Sequence, residues 1–238
     1  MVKNVAAGLA AMLALGACEA GGPLGEVLSG IGASQALSEA EIDAGLRQAL
    51  ELGTGTVAAQ LGAVDGFFGD PRIKIPLPGV LGDAQRNLAS VGLSAPLDDL
   101  QLRMNRAAES AMPVAKNLVV DAVRSITIED ALSILQGGDT AATDFLRKRT
   151  EAELIAAFSP RLDAALAEAG AFQALDSAAG RAGLGGAVGQ LRNDVVDQAT
   201  AVGLDGVFLY LAEQERDIRE NPAARTTDLL RRVFGSVA

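Results

Sequence analysis

Residues 204–222 read LDGVFLYLAEQERDIRENP, and their spacing decides the fold class. Leu204, Val207, Phe208, Leu211 and Ile218 recur at the three- and four-residue steps of a helix with one apolar face. Asn221-Pro222 stops it, because proline lacks a backbone donor and pushes the preceding residue out of the helical region. A helix is therefore expected over about residues 204–220. Glu215 falls in the middle of the apolar face, at about 20° from Leu204. A carboxylate buried there must be paired or protonated. It is either a tuned acid or anion inside a cavity, or one half of a structural Glu–Arg pair; the structural reading is favoured. A helix end that leaves the core before residue 215 would also account for it.

Upstream, the same helical grammar repeats. Ser38 and Glu41 have capping-box spacing, with Leu37 and Ile42 as the matching hydrophobic staple. Ile42, Leu46, Leu50, Val57 and Leu61 continue a core-facing helix, although Gly53 and Gly55 weaken its middle. Further helices are expected over residues 79–91, from Ser94 to Ala111, and from Pro113 through Val123. Thr127 and Asp130 suggest a second capping box, on a short helix that Gly137-Gly138 ends. Asp139 or Thr140 caps the next helix, with restarts expected at Thr150 and at Ser159-Pro160 before Gly170. Residues 171–190 are rich in Gly and Ala and carry the weakest signal, and a last helix holds Leu229, Leu230, Val233 and Phe234. Strands do not alternate with helices, so a Rossmann-like sheet is not expected. The predicted class is all-α, mostly a helical bundle, with one short extended or hairpin segment near residues 70–78.

That segment, RIKIPLP at 72–78, follows DGFFGDP at 65–71. Its prolines and the alternating Ile73, Ile75 and Leu77 forbid a helix and leave a strap across the bundle or one strand of a hairpin. Asp65 and Asp70 flank Gly66 and Gly69 but lack the spacing of a calcium loop, and turn chemistry explains them. Arg72 and Lys74 are expected to pair with helix carboxylates. Gly137-Gly138-Asp139-Thr140 resembles a phosphate cradle only in its glycines, since no lysine follows and no strand precedes. Asn105 and Glu109, with Arg106 between them, are neighbours on a helix flank and could present a polar pair at a cleft. Asp65-Gly66-Phe67-Phe68 and Asp205-Gly206-Val207-Phe208 echo one another too briefly to mark a repeat.

The chain begins MVKNVAAGLAAMLALGA, then Cys18. Lys3 supplies a basic start, and Val5 to Leu15 form an apolar run too short for a membrane span but suited to a secretory signal. Leu15-Gly16-Ala17-Cys18 has the form of a lipobox, so residues 1–17 are read as a lipoprotein signal peptide and Cys18 as the lipidated residue. One acyl chain anchors marginally and two or more anchor stably. Glu19 stands where Asp would mark inner-membrane retention in enteric-type bacteria, which leaves inner or outer membrane open, the outer somewhat favoured. Residues 18–36 are Gly-, Ala- and Ser-rich and read as a tether, leaving 37–238 as a single helical domain. The expected place is the periplasmic side of the cell envelope.

Composition narrows the chemistry. The net charge of −10 becomes −11 once the leader, with Lys3 and no acid, is removed. Cys18 is the only cysteine, so disulfides cannot hold the fold. No histidine is present, which excludes a Ser-His-Asp triad and argues against zinc, copper or iron; only an all-oxygen calcium or magnesium site stays open, and no metal or cofactor is expected. A Ser-Lys dyad stays open on paper, but nothing points to it. Acidic charge argues against nucleic acid. The absence of Trp and the single Tyr210 argue against a sugar cleft.

Four stretches carry a resemblance: DGFFGDPRIKIPLP at 65–78, MNRAAESAMP at 104–113, ILQGGDTAATDFLR at 134–147 and LDGVFLYLAEQERDIRENP at 204–222. Together they resemble the bacterial lipoprotein family known as domain of unknown function 4197, over about residues 37–235. The resemblance implies a secreted or lipid-anchored helical domain and carries no activity. Its recurrent polar positions map onto Asp65, Asp70, Lys74, Asn105, Arg106, Glu109, Asp139, Asp205, Glu213 and Glu215, the candidate ligand-binding residues. Three functions are then in play. The first is a non-catalytic lipoprotein that binds an envelope partner or supports the envelope. The second is a carrier or sensor of an apolar or amphipathic ligand such as a lipid, in an interhelical cavity with Glu215 or Arg106 at its polar end. The third is a hydrolase using Glu109 and Glu215 as its carboxylate pair.

Overall fold

Ser38 closes the first helix as its spacing predicts: its hydroxyl accepts from the Glu41 N–H while the Glu41 carboxylate accepts from the Ser38 N–H. The same reciprocal box forms at Thr127 and Asp130. The computed structural model describes residues 37–181 and 183–235; Cys18, the leader and the tether lie outside the described residues. Among the described residues there are eight α-helices and no strand, so the chain is all-α. They are α1 (Glu39–Leu61), α2 (Gly79–Ala89), α3 (Ala95–Arg124), α4 (Ile128–Leu135), α5 (Ala141–Glu168), α6 (Ala171–Arg181), α7 (Val188–Glu220) and α8 (Asp228–Gly235).

Four long helices form a closed ring. α1 packs on α3, α3 on α5, α5 on α7, and α7 back on α1. α4 covers α1 and α5, α6 lies against α3, and α8 lies against α1. The core between them is built from Leu, Ala and Val with few aromatics, among which Phe67 and Phe158 are fully enclosed. Burying each such ring contributes about 1.5–3 kcal/mol.

Three helices are longer than local signals indicate. α3 runs through Pro113 and α5 through Thr150 and Pro160 without a break. An interior proline costs about 3 kcal/mol, yet tertiary packing supplies most helix stability. Met104, Ala108, Ala111, Met112, Ala115 and Val119 are buried on both sides of Pro113 and hold α3 continuous. α7 begins at Val188 rather than near Leu204. Leu191, Val195, Ala199, Gly203, Val207, Leu211 and Glu215 form an unbroken four-residue series of buried positions, so the apolar face read at 204–218 is only its second half.

Residues 65–78 are a strap, not a hairpin. Two turns lead into extended backbone with Ile73, Ile75 and Leu77 buried. Asp65 takes a left-handed φ of 68°, which Asp tolerates better than most residues. Gly66 is required by close approach, since a Cβ there would lie 2.4 Å from the Leu61 carbonyl oxygen. The strap also crosses α7 at Gly206, where a Cβ would stand 3.1 Å from the Phe67 ring and 3.3 Å from Ile73.

Two glycines in helices should therefore respond in opposite ways to alanine. Gly55 has no neighbour within 4 Å of a Cβ, so Gly55→Ala removes a helix-interior glycine at no steric cost and should stabilise by about 0.5–1 kcal/mol. Gly206→Ala should destabilise by about 1–3 kcal/mol through overpacking against Phe67 and Ile73. Thermal unfolding of both variants should give Tm shifts of opposite sign.

Candidate functional site

The strap is fastened by side chains from α3 and α7. Asn105 is fully buried and spends its amide on one strap residue: its Oδ1 accepts from the Ile75 N–H at 2.9 Å, and its Nδ2 donates to the Ile75 carbonyl at 2.9 Å. Glu109, one turn further, accepts from the Phe67 and Phe68 N–H groups at 3.1 and 3.2 Å with one oxygen. Its other oxygen accepts from Arg106 at 2.7 Å, and Arg106 reaches on to Asp65 at 2.7 Å. Both carboxylates raise the Arg106 pKa, Glu109 the more strongly. The Asn105–Glu109 pair is thus not presented at a cleft. It clamps two parts of one strap.

α7 holds the other side. Arg72 donates to Asp70, to Glu213 at 2.6 Å and to the Tyr210 hydroxyl at 2.6 Å, while that hydroxyl donates to Asp70. Arg72 holds the Asp70 carboxyl well below the usual range, with the Tyr210 hydroxyl adding to it. Burial, then the neighbouring Asp70, pushes Tyr210 up. Lys74 departs from expectation: its ammonium lies 3.7 Å from the Phe68 ring centroid, an ammonium–aromatic contact instead of a carboxylate pair.

Glu215 sits at 7 % exposure on the α7 face that the periodicity assigns to it, and it is consumed by another helix. The first turn of α5 has orphan N–H groups, and its own N-cap Thr140 supplies no side-chain cap. Glu215 accepts from the Ala142 N–H at 2.9 Å and from the Thr143 N–H and hydroxyl at 2.8 Å each. A helix N-terminus attracts an anion, and here the protein provides its own. Arg219 completes the arrangement, pairing with Glu215 at 2.9 Å and donating to the Ile134 carbonyl at the end of α4 at 2.9 Å. The structural Glu–Arg pair is present, and the void beside Glu215 is about 10 Å³, space for at most one water.

The candidates therefore do not gather into one site. Asp65, Asn105, Arg106 and Glu109 clamp the strap from α3, and Asp70 and Glu213 meet it through Arg72. Asp205 pairs with Arg147 of α5, and Asp139 is exposed. Glu215 borders the void of about 10 Å³, whose lining does not include Glu109. Among the described residues no three acidic side chains group as a metal ion needs.

Beside a polar hollow of about 650 Å³ at Asp99, Arg103 and Arg181, two open concavities remain. One, about 440 Å³, lies between the strap, α5 and α7, lined by Arg72, Thr143, Asp144, Arg147, Asp205 and Phe208; its arginines are already paired. The other, about 680 Å³, is an apolar groove between α2, the start of α3 and the end of α6. Sequence reading missed this groove, because its walls come from three weakly patterned segments. It also missed Arg219, which stands four residues after Glu215 at ion-pair spacing.

An all-α bundle with its polar motif residues turned to clamps is what the geometry defines. A family model described as "Protein of unknown function (DUF4197)" matches residues 36–235, and the chain belongs to this family. No curated protein and no solved structure matches it.

Glu215→Gln would set an amide N–H₂ against backbone donors and leave Arg219 buried without its carboxylate. A loss of about 3–5 kcal/mol is expected, read as a fall in Tm. Asp70 gives a pH signature. Its carboxyl is lowered in the folded state, so its stabilisation is present above the ordinary value of 3.8 and is lost as pH falls through the lowered one. The Tm difference between wild type and Asp70→Asn should be constant near neutrality and shrink progressively below about pH 4.

Proposed function

We propose that this protein is a non-catalytic binding module, held at the periplasmic side of the cell envelope by a lipid on Cys18. One observation carries the non-catalytic part. The two buried carboxylates, at 4 % and 7 % exposure, are each held on both oxygens by donors of the fold, Glu109 by the strap and Arg106, and Glu215 by α5 and Arg219. A general acid or base needs a site beside it for the reacting group, and these have backbone N–H groups and arginine there instead. Among the described residues, an apolar surface feature open to a partner is the groove beside α2 and α6. Support for the anchor comes from the leader, its lipobox-like LGAC at 15–18 and the single cysteine. Glu19 at the next position leaves inner or outer membrane open, the outer somewhat favoured.

Cys18→Ala should abolish labelling of the protein by an alkyne-bearing fatty acid fed to the producing cells. It should also move the chain from the membrane to the soluble fraction. Undiminished labelling and membrane retention would overturn the anchor.

A further inference from the structure

We propose that the groove between α2, α3 and α6 binds a single-chain anionic amphiphile of the fatty-acid type, with Arg181 receiving its carboxylate. The proposal rests on the binding-module reading and names its ligand and seat. The groove measures about 680 Å³ and is walled by Leu81, Ala84, Leu88, Leu93, Ala178 and Leu184. That volume lies within the range of about 300–1,000 Å³ that encloses one small ligand. Leu93 is 64 % exposed at its rim, a large side chain left in water where a tail would cover it.

Charge identifies the head. Arg181 lines the groove and also the adjoining polar hollow of about 650 Å³, which shares Ala95 and Pro96 with it. Among the described residues Arg181 forms no ion pair, on a chain whose net charge is −10. Asp99, Arg103, Gln173 and Ser177 stand in the same hollow, where Arg103 takes up the Asp99 carboxylate and also donates to the Ala169 carbonyl. A guanidinium without a counter-charge, placed where an apolar trough opens into a polar one, complements a tail that ends in an anion.

The test uses the full-length protein in membrane vesicles and palmitate carrying a diazirine near the tail end, with crosslinks mapped by mass spectrometry. Crosslinks are expected on residues 81–97, on 178–181 and on Leu184, competed by unlabelled palmitate. Arg181→Glu should lower palmitate labelling about tenfold while leaving labelling by the matched diazirine hexadecanol unchanged. Ala84→Trp, checked for helical content, should suppress both probes. Crosslinks absent or scattered over other faces would overturn the site. Equal labelling of wild type and Arg181→Glu by palmitate would overturn the assigned head. A crosslink to a second polypeptide at this groove would replace the lipid with a protein partner. Loss of the membrane anchor in Cys18→Ala bears on the anchor alone, so the two failures are distinguishable.

Discussion

Charged side chains that finish helices other than their own are what the bundle depends on. Every helix leaves unsatisfied N–H groups at its start and carbonyls at its end. Glu215 takes those at the start of α5, and its neighbour Arg219 takes those at the end of α4. One pair on α7 thereby seals both sides of the 136–140 turn. Arg47 of α1 donates to the Val123 and Ile126 carbonyls at the end of α3, and Arg103 of α3 donates to Ala169 at the end of α5. The buried Arg225 folds back on the Ile218 and Arg219 carbonyls of α7. Burial of apolar surface is non-directional. In a body without disulfides, these directional contacts set how far each helix slides along its neighbours.

That economy explains why the polar residues that carry the family resemblance give so little chemistry. Asn105, Arg106, Glu109 and Glu215 are spent on backbone or on one another. A buried carboxylate whose two oxygens both accept from the fold has little capacity left for a substrate. The features that could meet a partner lie at the periphery, where α2 and α6 pack on the ring without closing over each other.

The α-helical class was legible because its signals are local. Both capping boxes, the strap's alternation and the apolar face around Leu211 could be read from neighbouring residues. What escaped reading was long-range. Pro113 and Pro160 carry local penalties that only the buried residues around them offset. The first half of α7 hid its four-residue series behind Gly and Ala, which score weakly as core. Glu215 was placed on the buried face by periodicity alone, but its true partners sit more than seventy positions away on α5. The apolar groove had no motif, since residues 81–97 and the end of α6, far apart in sequence, build it together.

The strap has a consequence for self-association. An extended apolar run with free backbone groups is a template on which another chain can pair. Here the side chain of Asn105 occupies both the donor and the acceptor of Ile75, and Gln101 also donates to the Ile75 carbonyl. Prolines at 76 and 78 remove two further donors. The most strand-like part of the chain therefore offers no ladder at its centre, and copies crowded on a surface would find no edge there to extend.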